Sequence, residues 1–270
     1  MEAPRLVYHY CTVEALMSIL KSGCLRLSDV EKSNDYAERK WIQEMVAAEV
    51  CNLFQEHYEI QSKFQSCLKE FVGKKNLYAS CFSEKSDLLS QWRAYAMDGR
   101  GVAIGFDMWH LKGLQSDKMS FLKICYDLEM QRAYARHQAE ELYDMVVQGE
   151  SMETAVSLIY GRPEIALSIM KNPAFEEEQE WRICMSCVPE QNQEEVRQEE
   201  GFCLSPIQVY YSNYRLISYY DLEFLDHKLV KEIILGPKCR LEERDVKMCL
   251  RLWGYDENYV RVLRSGATYC

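Results

Sequence analysis

Three stretches of the sequence set polar side chains among strand-forming apolar ones: Leu6-Val7-Tyr8-His9-Tyr10, Tyr78-Ala79-Ser80-Cys81-Phe82-Ser83-Glu84 and Phe175-Glu176-Glu177-Glu178-Gln179-Glu180-Trp181-Arg182-Ile183. A polar group in such surroundings is costly unless it is hydrogen-bonded or used. The residue types suit sugar and phosphate chemistry. An imidazole such as His9 can donate to or accept from a hydroxyl, and a carboxylate such as Glu180 can stabilise positive charge that develops on a neighbouring ring. A guanidinium fork at Arg26, Arg93 or Arg182 matches a pyrophosphate, and the faces of Tyr8, Tyr10, Trp92 or Tyr95 can stack on a base. The shared pattern predicts one sheet carrying all three stretches, with His9 and Glu180 facing one cleft.

Each residue also has a plainer role. His9 can be a satisfied core histidine, Ser83 can cap the helix that follows with Glu84 and Asp87 near its N-terminus, and Trp92 and Tyr95 can be core. Glu180 and Arg182 can be an ion pair between neighbouring strands, with Glu176–Glu180 a solvated face. Cys184-x-x-Cys187 has the spacing that opens many zinc sites, yet no second Cys-x-x-Cys or His-x-His follows, and in a strand the two side chains point to opposite faces. No metal is expected. Neither a P-loop nor a Gly-x-Gly-x-x-Gly dinucleotide fingerprint is present.

The elements that must hold these residues read as follows. Leu6–Tyr10 is a strand, and Thr12 caps a helix with Leu16, Ile19 and Leu20 on one face, ended by Gly23. Cys24–Leu27 is a short strand, and Ser33-Asn34-Asp35 a turn or cap. Tyr36–Phe71 lacks Gly and Pro and forms one bent helix or two. Leu77–Phe82 is a strand, Asp87–Ala96 a helix, and Asp98-Gly99-Arg100-Gly101 a tight turn into the strand Val102–Phe106. Phe121–Tyr126 is a strand, and Leu128–Lys171 is helical with breaks near Gly149 and Arg162-Pro163. Strands return at Trp181–Val188, Gly201–Tyr211, Tyr214–Tyr220 and Val230–Leu235, with Pro189–Glu200 an exposed loop. The helix Glu242–Trp253 and the strand Tyr259–Arg264 close the chain. Clustered strands with long helices between them predict a single α+β domain over 1–270, with a mixed or antiparallel sheet and a helical insertion at about 127–175.

With 42 acidic against 32 basic side chains the net charge is −10, so the surface as a whole repels a phosphate backbone and leaves room only for a local basic groove. Twelve scattered cysteines, mostly within apolar runs, predict reduced thiols and a cytoplasmic protein. No stretch approaches the roughly 20 apolar residues of a membrane span, and the N-terminus lacks the pattern of a signal peptide.

Val7-Tyr8-His9-Tyr10-Cys11-Thr12, Leu16-x-x-Ile19-Leu20-x-x-Gly23-x-Leu25-Arg26, Asn34-Asp35-x-x-Glu38, Cys81-Phe82-Ser83-Glu84, Gln91-Trp92-x-x-Tyr95-x-x-x-Gly99-x-Gly101-Val102-x-Ile104-x-Phe106-Asp107, Glu178-x-Glu180-Trp181-Arg182 and Ile234-Leu235-Gly236-Pro237, in this order, resemble the bacterial family called domain of unknown function 2971. A strand bearing His-Tyr, then a helix ending at Leu-x-x-Gly and a short strand, is also similar to the opening of the ADP-ribosyltransferase superfamily, which includes nucleic-acid-modifying toxins and RNA 2′-phosphotransferases. That second resemblance implies a split, mixed or antiparallel sheet and transfer of ADP-ribose from NAD, used as substrate, to a macromolecular acceptor, nucleic acid or protein. By the same resemblance Glu180 is catalytic, His9 positions the ribose, and Ser83 shapes the nicotinamide pocket, with Glu178 and Glu180 as a Glu-x-Glu pair. Tyr10, Arg26, Trp92, Arg93, Tyr95 and Arg182 then complete the NAD contacts. The alternatives are NAD hydrolysis or 2′-phosphate transfer on the same site, or a non-catalytic module that binds a nucleotide or a partner protein, in a bacterial stress or phage-defence setting.

Overall fold

The computed structural model describes residues 5–30, 38–55, 57–72, 76–114, 119–161, 169–187, 197–199, 202–212, 214–224 and 226–269. Asn34, Asp35, Arg162, Pro163 and residues 189–196, for which a turn, a helix break and a loop are expected, lie outside them. The elements run β1 (Leu6–Cys11), α1 (Val13–Ser22), β2 (Cys24–Asp29), α2 (Glu38–Leu53), α3 (Tyr58–Val72), β3 (Asn76–Ser83), α4 (Leu89–Tyr95), β4 (Val102–Asp107), α5 (Met108–Lys112), β5 (Met119–Lys123), α6 (Leu128–Val147) and α7 (Met152–Gly161). A 3-10 turn (Pro173–Glu178) precedes β6 (Glu180–Cys187), β7 (Arg197–Glu199), β8 (Phe202–Leu204), β9 (Gln208–Ser212), β10 (Arg215–Phe224) and β11 (Val230–Leu235). A last helix, α8 (Glu243–Leu252), leads to β12 (Arg261–Arg264).

Local chemistry accounts for the boundaries. The Thr12 hydroxyl accepts from the Ala15 N–H at 3.1 Å, and Gly23, at φ 66°, closes α1 with its N–H on the Ile19 carbonyl. Asp107 caps α5 through the N–H groups of Trp109 and His110, a short helix that periodicity alone does not disclose. The Gly-free stretch after β2 divides into α2 and α3. Three readings are corrected. Gly201–Tyr211 is two strands, β8 and β9, separated at Ser205-Pro206-Ile207 because proline cannot donate to a ladder. Residues 197–199, expected in an exposed loop, form β7. The helix expected from Asp87 starts at Leu89, behind an N-cap, Leu88, that offers no side-chain bond, so Ser83 does not cap it.

The sheet is open and of mixed orientation, in the order β12-β11-β4-β1-β3-β2-β10-β8-β7, with β6 on β3, β5 on β6 and β9 on β10. Neighbouring described strands are antiparallel except β11 and β12. One edge of β3 pairs with β6 from Asn76 to Ser83, while the other is shared: Tyr78 and Ala79 pair with β2, and Ser83 with β1. The sheet therefore splits where β1 and β2 part beside Cys81.

Apolar residues gather in two main clusters. The larger covers one face of the sheet, where Val7, Phe82, Ile104, Phe106 and Ile183 meet Leu16, Ile19 and Leu20 of α1 and Val246 and Leu250 of α8. The second, built by α2, α3, α6 and α7 around Val46, Phe64, Ala139 and Tyr160, takes in the two helices expected as an insertion. A smaller group, Tyr8, Tyr10, Trp92, Ala96, Ala103 and Ile234, lies on the sheet face opposite the main core. No helix among the described residues is long and apolar enough to cross a membrane.

The eleven described cysteines are thiols, and Cys184 and Cys187 lie on opposite faces, the first beside Leu77 and Ala79 and the second in the main core. Thiol titration of the denatured, non-reduced chain is expected to return all twelve cysteines of the sequence as free thiols. A count lower by several pairs would show disulfides and contradict a reducing compartment.

A buried charge network as the candidate functional site

Directly opposed residues of an antiparallel pair point to the same face, and successive residues alternate. Ser83 stands opposite Glu180 and Cys81 opposite Arg182, so these four share the sheet face away from the main core. Tyr8 stands opposite Ser83 and joins them, which sends His9, one residue on, to the other face. His9 packs there against Phe82, at 5.8 Å between ring centroids, and its Nδ1 lies 2.9 Å from the Cys81 carbonyl. A carbonyl only accepts, so Nδ1 carries the proton and donates. Burial lowers the His9 pKa, and the bond to Cys81 offsets part of that, so the ring is neutral at pH 7. His9 thus bonds to β3 at Cys81, beside the place where β1 and β2 part. The expectation that His9 and Glu180 face one cleft is thus corrected: β-strand alternation places them on opposite sides of one sheet.

Around Glu180 the structure builds a closed network. Arg182 grips it with two hydrogen bonds, Nε to Oε1 at 2.6 Å and Nη2 to Oε2 at 2.8 Å, in the bidentate geometry that strengthens such pairs. Lys171 Nζ donates to Glu180 Oε2 at 3.2 Å and to Glu178 Oε2 at 2.7 Å. The Tyr95 hydroxyl donates to Glu178 Oε1 at 3.3 Å, the Glu180 N–H to the Tyr126 hydroxyl, and the Ser83 hydroxyl to the Glu178 carbonyl at 2.6 Å. Side-chain exposure is 4% for Lys171, 8% for Glu180 and 3% for Arg182, and these values decide the chemistry: both carboxylate oxygens of Glu180 are taken, out of reach of solvent. Burial alone would raise the Glu180 pKa, but the Arg182 guanidinium, its hydrogen bonds and Lys171 outweigh burial and hold the carboxyl well below the usual carboxylate range. Burial, and then the Glu178 charge, push the Tyr95 hydroxyl up, so it stays a proton donor.

Lys171 is held from the helical layer. Its backbone N–H donates to the Cys125 carbonyl, next to the bridge between Cys125 and Met170. The fully buried Gln131 amide of α6 donates to the carbonyls of both Cys125 and Lys171 at 2.8 Å, while its oxygen accepts from Trp41 of α2. Gln179, at φ 42°, turns the chain between Glu178 and Glu180 so that both carboxylates converge on one ammonium.

Five of the residues singled out from the sequence therefore meet: Ser83, Tyr95, Glu178, Glu180 and Arg182. The others are elsewhere. Tyr10 donates to the Lys85 carbonyl, accepts from the Leu88 N–H and sets its edge against Trp92, which is fully buried and bonded to Asp87. Tyr8 donates to Glu232, Arg26 stacks on Tyr219 and pairs with Asp221, and Arg93 covers the Tyr269 ring. Sequence reasoning missed Lys171 and Tyr126. A single lysine between Ile169-Met170 and Asn172-Pro173 was the available signal for the first, and nothing marked the second. Among the described residues no group of three or more His, Cys, Asp or Glu side chains is placed to hold a metal ion.

The model of a family described as a protein of unknown function (DUF2971) matches residues 91–183, less than half of the chain. That segment takes in the Gln91–Asp107 and Glu178–Arg182 portions of the family pattern read from the sequence, and leaves its β1, β3 and Gly236-Pro237 portions outside the match. No curated protein matches, and no solved structure matches.

Proposed function

We propose that this chain is a non-catalytic module that binds a nucleotide-type ligand. The observation that carries the non-catalytic part of this reading is the saturation of Glu180, whose two oxygens are held by Arg182 and Lys171. A carboxylate stabilises an oxocarbenium-like transition state only through charge that the sugar can feel. Here two cations and two carboxylates close on each other beneath the surface, so little field is left over for a substrate. His9, expected to hold the ribose, lies across the sheet. Incubation of the full chain with labelled NAD, with nucleic-acid and protein acceptors and with none, is expected to give neither nicotinamide release nor label incorporation. NAD turnover that falls by about 10²–10³ in a folded Glu180→Gln variant would overturn this reading, since that is the loss seen when one preorganised stabilising group is removed.

A second reading, ADP-ribosyl transfer from NAD or NAD hydrolysis, is favoured by one specific observation: Ser83, Tyr95 and Glu178 meet at the rim of the network, where Tyr95 is 44% exposed and reaches solvent. In that reading Glu178, with one oxygen on Lys171 and the other on Tyr95, is the carboxylate facing the ribose. Turnover abolished by Glu178→Gln and retained by Glu180→Gln would support it.

A further inference from the structure

We infer that the cavity between the start of α1, the turn before β4 and the segment after β11 binds a phosphate monoester or diphosphate carrying an apolar or aromatic group, the chemistry of a nucleotide. The inference rests on the binding-module reading and gives that module its site. The cavity measures about 710 Å³, within the range of ligand pockets in general. Three cations line it, Arg100, Lys238 and Arg240, in a protein of net charge −10. Their roles differ. Lys238 is committed to structure: its Nζ donates to Asp98 at 2.9 Å and sits 3.7 Å from the Tyr269 ring centroid. Arg100 is 3.8 Å from the same carboxylate, donates to the Met97 carbonyl at 3.4 Å and is largely exposed, so these contacts hold it weakly. Arg240 is exposed and forms no salt bridge with another described residue.

Two acidic side chains are close: Asp98 accepts from Tyr269 and Lys238, and Glu14, which lines the cavity as a carboxylate, is bonded to its own N–H and the Thr12 hydroxyl. Arg100 and Arg240 are therefore the groups left to meet an anion, and guanidinium forks match phosphate oxygens. Val13, Met97 and Leu241 supply an apolar wall against which a base can lie. The cavity is rigid on one side: Met97, Asp98 and Gly99 all have positive φ, and the turn is pinned by the Lys238 N–H on the Gly99 carbonyl and the Gly236 N–H on the Gly101 carbonyl. Preorganisation of this kind lowers the ordering cost of binding.

The test is calorimetric titration of the full chain with ADP-ribose, AMP and inorganic phosphate. ADP-ribose is expected to bind, AMP more weakly and phosphate weakest, with affinity falling as salt is raised. Arg240→Ala and Arg100→Ala are each expected to weaken ADP-ribose binding at least tenfold, and Leu241→Trp to abolish it by filling the cavity. Arg244→Ala, which removes the same charge from exposed α8, is expected to leave it unchanged. Equal weakening in Arg244→Ala would show a diffuse charge effect and overturn the site. Binding that survives all three cavity substitutions would also overturn it while leaving the binding-module reading in place, whereas absence of heat with every probe would overturn both. NAD turnover with intact cavity-dependent binding would overturn the module reading and leave the site standing.

Discussion

Lys171→Met lowers the thermal midpoint on the order of 10 °C and does so through electrostatics more than through volume, since methionine nearly matches the length of the lysine stem. Lys171 lies between Glu178 and Glu180 and is itself buried. Removing one partner of a buried ionic group leaves the other charge uncompensated, at a cost of about 3–5 kcal/mol. For a chain of this size each kcal/mol moves the midpoint by roughly 2–4 °C. Differential scanning calorimetry at pH 7 is the measurement. A midpoint within about 2 °C of the parent would show that Arg182 alone neutralises the pair. Acid supplies an independent reading of the same network. Against burial, the Arg182 guanidinium and Lys171 hold the folded carboxyl of Glu180 below its ordinary value of 4.5. Its contribution to stability is therefore fully present above pH 4.5 and is lost as pH falls below it. In Lys171→Met, with one cation gone, the acid limb of the stability profile is expected to begin at higher pH than in the parent.

How far the sequence disclosed this arrangement depends on the range over which each interaction acts. The Thr12 cap, the Gly23 stop and the apolar face of α1 are set by residues within one or two turns of each other, and local patterning finds them. The Glu178-Gln179-Glu180-Trp181-Arg182 run announced charge at the head of a strand, and Glu180 and Arg182, two apart, share a face by strand period alone. The ion pair follows from that spacing. What period cannot supply is register between strands distant in sequence. His9 and Glu180 each alternate correctly within β1 and β6, yet whether they share a face is fixed by two bridges, Tyr8 with Ser83 and Ser83 with Glu180, and a shift of one residue in either would reverse the answer. Lys171 was hidden for a related reason. Its place under Glu180 depends on Gln131 and Cys125, some forty residues away, and on a left-handed turn at Gln179 that nothing in the residue type demands. The cavity was equally out of sight, because Arg100 and Arg240 come together only when β4 and β11 pair as neighbours.

That pairing rests on glycine, and Gly101→Ala and Gly236→Ala are expected to be strongly damaging single-methyl substitutions. A Cβ at residue 101 would collide with the Cys11 carbonyl oxygen and stand 3.0 Å from the Ala96 Cα, both backbone atoms of elements that cannot retreat separately. Gly236 is similar in kind, its Cβ falling 2.5 Å from the Gly99 carbonyl and 2.8 Å from that of Gly101. Overpacking a rigid site costs about 1–3 kcal/mol, and a clash with backbone that must separate two paired strands exceeds that, to about 4 kcal/mol or more. Gly149→Ala is the comparison: its φ of 99° strains any L side chain, but nothing lies within 4 Å, so the cost is confined to about 1–2 kcal/mol of backbone strain. Urea unfolding of the three variants against the parent, at equal slope, separates the two causes. The expected order is parent, Gly149→Ala, then Gly236→Ala and Gly101→Ala together at the bottom. If Gly149→Ala proved the worst of the three, conformational strain rather than the close approach of β1, β4 and β11 would be what these glycines relieve, and the rigid wall assigned to the anion cavity would lose its basis.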